Sequence, residues 1–283
     1  MRYVALILAA VLAVIICFAA GGFAGFAWLW LLPVGFVGSL VVMAAVVFLN
    51  LWISCALVDT EKPQEKDSPY YRRLTYFMIE VARWLLRMRV HTEGLEKTPK
   101  DGRFLLVCNH INDMDPLLLL NQFPKSQLAF ISKRENDQKP FIGELMHKTM
   151  CQLINRENDR EALKTIINCI RLIKEDEVSI AVFPEGYTSM DGLLHPFRSG
   201  VFKIAQKANV PVVVCTVRNT NQVFRNAKKL KPTDVYLHLL AVIPPEEFAN
   251  ITAVELGNRV RAMMAADLGP DLVLQQGEPN EED

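Results

Sequence analysis

Leu105-Leu106-Val107-Cys108-Asn109-His110 runs from a short apolar stretch straight into polar residues, and Ile180-Ala181-Val182-Phe183-Pro184-Glu185-Gly186 repeats the pattern. Short apolar runs bounded by turn formers read as buried strands. Three more such runs complete the set: Leu128–Ile131, Val210–Val217 and Val235–Val242, with the first two extended to Phe104–Cys108 and Val178–Phe183. Helical spacing separates most of them. Arg160–Lys174 carries Leu163, Ile166, Ile167, Ile170 and Ile173 on one side, with Asn158 or Asp159 available as its cap; Phe197–Asn209 and Ala253–Leu268 are similar. Buried-type strands alternating with helices predict an α/β body, a mixed sheet covered by helices.

Outward from this body the composition changes abruptly. The chain has 283 residues, 51% hydrophobic and 22% charged, with 31 Lys plus Arg against 31 Asp plus Glu. A neutral balance without aromatic–basic interleaving argues against nucleic acid as a partner. From Tyr3 to Val58 there is no Lys, Arg, Asp, Glu or His. Such a stretch does not sit unprotected in water, and it is long enough for two membrane passes and too short for three. Val4–Ala20 is the first pass, Gly21, Gly22 and Gly25 offer the turn, and a second apolar run continues past Trp28, Trp30 and Pro33 to Val58. No small-x-small cleavage site with a polar start follows the first run, which disfavours a removed signal peptide. Arg2 before the hairpin and Lys62, Lys66, Arg72 and Arg73 after it place both ends, and the body, in the cytoplasm.

The expected organisation is a transmembrane hairpin over 1–60, an amphipathic helix over 70–90, a catalytic body over 91–275 and an acidic tail over 276–283. In the amphipathic segment Leu74, Phe77, Met78, Val81, Trp84, Leu85 and Met88 form one face, with Arg72, Arg73, Arg83 and Arg87 mostly away from it. That face either rests in the bilayer interface or packs on the body. The six cysteines show neither CxxC pairs nor zinc spacing, so no disulfide framework and no metal site are expected.

The two polar strand ends carry the chemistry. His110 follows an apolar strand, where open α/β sheets place their sites, and Asp115 stands five residues on at the start of a helix. A carboxylate on one imidazole nitrogen sets the tautomer and strengthens the other nitrogen as a base near neutral pH. No nucleophile elbow precedes the histidine. Cys108 is expected to point into the core, and Asn109 and Asp113 to set the turn. Glu185 and Gly186 end the second strand at a tight turn that exposes backbone N–H groups.

His110, four residues, Asp115, followed by Phe183-Pro184-Glu185-Gly186, resembles the glycerolipid acyltransferases, in particular bacterial 1-acylglycerol-3-phosphate acyltransferases. Ser132-Lys133-Arg134-Glu135 with Pro140 and Gly143, Ile154-Asn155-Arg156, Asp191-Gly192 with Pro196-Phe197-Arg198-Ser199-Gly200, and Val210-Pro211-Val212-Val213 extend the likeness over about Val90 to Val217. Two positions depart from it: Thr188 stands where that family usually has arginine, and Cys215 occupies or adjoins the place of a second proline. The resemblance implies direct acyl transfer without a cofactor, from acyl-CoA or acyl-carrier protein to a lysophospholipid hydroxyl at a bilayer. It also implies that His110 is the base and Asp115 its orienting partner, and that Glu185, Gly186, Arg156, Lys133 and Arg198 bind the acceptor. Both departures bear on the acceptor, which leaves glycerol-3-phosphate, another lysolipid or another hydroxyl compound open.

Overall fold

The computed structural model describes residues 2–155, 158–189 and 191–274, and the chain divides between Asp59 and Thr60 into two compact units. Arg156 and the acidic tail lie outside the described residues.

The first unit is two helices, α1 (Arg2–Ala19) and α2 (Trp28–Ala56), joined through a short 3-10 turn at Gly22–Ala24. Small residues let them approach: Ala9, Ala13 and Cys17 are buried, and a Cβ built on Gly35 would sit 3.3 Å from the Ala13 Cα. At about 1.5 Å per residue the 29 residues of α2 run about 43 Å, more than the roughly 30 Å hydrocarbon core of a bilayer. Most of the large apolar side chains of both helices are exposed.

The second unit is a seven-stranded sheet between two layers of helices. In chain order the strands are β1 (Met88–Glu93), β2 (Leu105–Cys108), β3 (Leu128–Lys133), β4 (Gln152–Ile154), β5 (Ser179–Val182), β6 (Val212–Arg218) and β7 (Thr233–Ile243). They lie in the order β1-β7-β6-β2-β5-β3-β4, every neighbouring pair parallel except β6–β7. β2 and β5, at the centre, are buried on both faces, which is why both read as unbroken apolar runs. One face packs Leu105, Val107, Ile180 and Val182 against α6 (Asp159–Lys174), α7 (Lys203–Ala208) and α9 (Ala253–Leu268). The other packs Leu106, Cys108, Ala181 and Val213 against Ile79 of α3 (Pro69–Leu85), Leu118 and Leu119 of α4 (Asp115–Gln122) and Val223 of α8 (Val223–Ala227). Asn158 caps α6 by accepting from the Arg160 and Glu161 N–H groups.

Three expectations are corrected. The amphipathic helix stops at Leu85; Arg87 turns the chain with φ +53°, and Met88 onward is strand β1. The predicted helix Phe197–Asn209 is a 3-10 turn (Ser199–Phe202) followed by α7. Arg72 does not lie away from the packed face of α3. It is buried, its guanidinium holding the Asp67 carboxylate at 2.6 Å and donating to the backbone carbonyls of Leu128 and Thr149 at 2.5 and 3.0 Å. Helix α3 is thereby clamped to the start of β3 and to the segment between α5 (Ile142–Lys148) and β4, while Trp84 and Leu85 at its far end stay exposed.

Candidate active site

β2 and β5 are adjacent and parallel, so the turns that follow them stand side by side at the carboxyl edge of the sheet. Asn109 fixes the first turn: its side chain donates to the Val217 carbonyl at 3.0 Å and accepts from the Val217 N–H at 2.8 Å, tying the end of β2 to β6. His110 comes next, its side chain 14% exposed and its ring stacked on Phe183 with centroids 4.1 Å apart.

The His110 Nδ1 lies 2.9 Å from Asp115 Oδ2, and its Nε2 lies 2.9 Å from the Thr188 hydroxyl. With Nδ1–H donating to the carboxylate, Nε2 is left as the acceptor for that hydroxyl. Asp115 is fully buried, and four donors hold it. Oδ2 accepts from His110 Nδ1 and from the backbone N–H groups of Ile111 and Asn112 at 2.7 and 2.8 Å, and Oδ1 accepts from the Thr220 hydroxyl. The same group thus shapes the turn and orients the imidazole.

Glu185, at the second turn, is turned inward. Its Oε1 accepts from the His110 N–H at 2.8 Å and its Oε2 from the His195 N–H at 2.9 Å. It is buried, and burial pushes its carboxyl up to about 8 against the pull of those two donors. Both oxygens are thus engaged by backbone N–H groups. The Ser189 N–H donates to the His110 carbonyl at 2.8 Å, so the two turns are laced together from both sides.

Gly186 has φ +87°, and a Cβ there would come within 2.9 Å of Cδ and Nε of Arg198, whose exposed side chain lies across the turn. The positive φ is what calls for glycine, and any Cβ would also push the Arg198 side chain aside. Lys133 is exposed at the carboxyl end of β3, on the same edge of the sheet. Arg156 follows β4, outside the described residues. Cys108 is sealed in the core, and burial pushes its thiol up, which removes it as a nucleophile. Among the described residues no three His, Cys, Asp or Glu side chains gather as a metal site.

Two hydroxyls escaped the sequence reading. Thr220 follows β6, 105 residues from its partner Asp115, and nothing in its local pattern signals a partner so remote. Thr188 drew notice only as a departure, yet it occupies the open nitrogen of the imidazole.

Residues 89–218 match the profile of the family described as Acyltransferase. The 1-acyl-sn-glycerol-3-phosphate acyltransferase of Borreliella burgdorferi is 28% identical over 192 residues, 64% of this chain and 76% of that protein. A protein of the same description from Chlamydomonas reinhardtii is 33% identical over 177 residues, 62% of this chain and 51% of that protein; the match thus spans about half of its length. Among solved structures, the 1-acyl-sn-glycerophosphate (LPA) acyltransferase of Thermotoga maritima shares the fold, with TM-score 0.59, 23% identity and coverage of 95% and 96% of the two chains.

Proposed function

Residues 89–218 of this chain are an acyltransferase-family domain, and from that premise we propose that the protein moves a fatty acyl group from an acyl thioester to the free hydroxyl of 1-acylglycerol-3-phosphate, giving phosphatidic acid. The donor is acyl-CoA or acyl-carrier protein. The observation that carries this reading is the line Asp115–His110–Thr188, in which a hydroxyl already sits 2.9 Å from the base nitrogen. The acceptor hydroxyl takes that place on Nε2.

In the reaction His110 Nε2 removes the acceptor's proton as its oxygen attacks the thioester carbonyl, and Asp115 stabilises the imidazolium through Nδ1 without taking the proton itself. Collapse of the tetrahedral intermediate breaks the C–S bond, and His110 returns the proton to the departing thiolate. Glu185 is a positioning residue: through the His110 N–H it holds the base at the level of the acceptor. Arg198, Lys133 and Arg156 supply cations for the acceptor phosphate, and an arginine fork suits that job. Gly186 admits the Arg198 side chain across the turn. The apolar hairpin anchors the body at the cytoplasmic face of a membrane, where both substrates' acyl chains partition.

The test is transfer of labelled acyl groups, from acyl-CoA and from acyl-carrier protein, by membranes carrying the chain or its His110→Ala variant, to lysophosphatidic acid, glycerol-3-phosphate and other lysolipids. His110-dependent acylation of lysophosphatidic acid is the expected outcome. Acylation of a different acceptor alone would overturn the named substrate, and transfer that survives His110→Ala would overturn the mechanism.

A further inference from the structure

One surface loop has no part in the chemistry above. Between α8 and β7 the chain reads Lys228-Lys229-Leu230-Lys231-Pro232. Leu230 stands at its tip, 76% exposed and at φ +55°, a backbone conformation that a branched side chain rarely adopts. The tip is held in place by several bonds. The Leu230 N–H donates to the Ala227 carbonyl at 2.9 Å, the Lys231 N–H to the Asn226 carbonyl at 3.0 Å, and the Arg87 guanidinium to the Leu230 carbonyl. That last bond joins the loop to the end of α3, where Trp84 is 53% and Leu85 63% exposed. Two segments 143 residues apart thus meet, and the surface they make exposes Trp84, Leu85 and Leu230 together with Arg87, Lys228, Lys229 and Lys231. The acidic groups beside it are engaged already: Glu80 with Arg83 and Asn121, and Asp234 with His91.

The register fixes where this face lies. Cys108 of β2 pairs with Cys215 of β6, and Arg218, the last residue of β6, pairs with Tyr236 of β7. β7 begins at Thr233, three residues or about 10 Å beyond Tyr236 in the direction in which β2 runs toward His110. β1 starts at the same level, Met88 opposite Thr233. The Leu230 loop and the end of α3 therefore project past the edge of the sheet that carries His110.

We propose that this face contacts the bilayer directly: Leu230, Trp84 and Leu85 enter the headgroup–acyl boundary, and Arg87, Lys228, Lys229 and Lys231 take the phosphates of anionic phospholipids. The combination suits an anionic membrane better than an acidic carrier protein, because a carrier would match the cations and leave three large apolar side chains in water. The contact holds the carboxyl edge of the sheet toward the lipid, so a lysolipid reaches His110 without crossing water. It presumes a membrane-bound acyltransferase, and its test reads insertion separately from transfer.

The full chain is reconstituted in phosphatidylcholine vesicles with and without phosphatidylglycerol. An environment-sensitive fluorophore is carried on Leu230→Cys or, at the opposite edge of the sheet, on Lys100→Cys; the unsubstituted chain, labelled identically, gives the background from native thiols. The expected result is a blue shift and quenching by lipid-borne quenchers at position 230 only. The effect should be stronger with phosphatidylglycerol and fall several-fold when Lys228→Glu and Lys231→Glu are added. A label at 230 that stays in water in both vesicles, while acyl transfer proceeds, overturns the proposal. So does shielding that appears only on adding acidic carrier protein. Insertion at 230 without transfer to any acceptor would sink the proposed reaction and leave this surface standing.

Discussion

The turns after β2 and β5 each set a carboxylate beside a histidine, and they use it in opposite ways. Asp115 receives four donors, one of them the His110 ring. Glu185 receives two, both backbone, in a site where burial outweighs them and lifts its carboxyl to about 8. What separates the carboxylate that holds the imidazole from the one that ties backbone is the number and kind of donors, since both are buried. A residue type at a strand end therefore marks a site without revealing the job each member does in it.

The sharpest way to break this comparison is to remove the imidazole. His110→Ala should lower acyl transfer by about 10³- to 10⁴-fold, the upper range for a general base, with the fold intact by circular dichroism. Asp115→Asn should cost about 10²-fold or more by admitting the wrong tautomer; its loss should fall on kcat more than on KM. An Asp115→Asn enzyme as fast as the parent would show that the four donors serve only the turn.

Glu185→Gln is expected to affect activity less and the pH dependence of stability more. The folded Glu185 carboxyl titrates near 8 against an ordinary value of 4.5, so the folded state holds a proton that the unfolded chain has lost across that window. Its contribution is therefore full below about pH 4.5 and drains away as pH rises to 8. Thermal unfolding of the parent should shift downward between pH 5 and 8, and Glu185→Gln should flatten that slope. Equal slopes in the two proteins would mean that Glu185 is ionised in the fold.

Thr188→Val should give the smallest effect. One neutral hydrogen bond is worth about 1 kcal/mol, so removing the hydroxyl while keeping its shape should change transfer by about fivefold or less, measured as initial rate at saturating acceptor. A loss comparable to that of His110→Ala would make Thr188 a participant in the chemistry instead of the occupant that the acceptor displaces.

Much of this arrangement was legible in the chain. The runs of β2, β5 and β6 are buried on both sides and announce themselves, and α9 matches its apolar spacing from Ala253 to Leu268. His110 and Asp115 could be paired because a strand end and a helix start fix their separation. β1 was missed because it is an edge strand in which only Met88 is buried, and β4 because three half-buried residues carry too little pattern. Arg72 was misjudged because periodicity gives the angle of a side chain around a helix and not the depth of the neighbour it meets. Thr188, Thr220 and the inward turn of Glu185 depend on bonds between residues 75 or more positions apart, except for the His195 amide, and local pattern does not reach that far.

The Arg72 clamp has a mechanical consequence. Any pull arriving from the N-terminal hairpin travels along residues 60–66 and meets Asp67 and Arg72 before it reaches the sheet. There the load divides between an ion pair and two carbonyls of the body, those of Leu128 and Thr149. The clamp works like the strain relief on a cable: a tug on the tether passes into the body at the start of β3 and ahead of β4, and does not run on along α3 to β1.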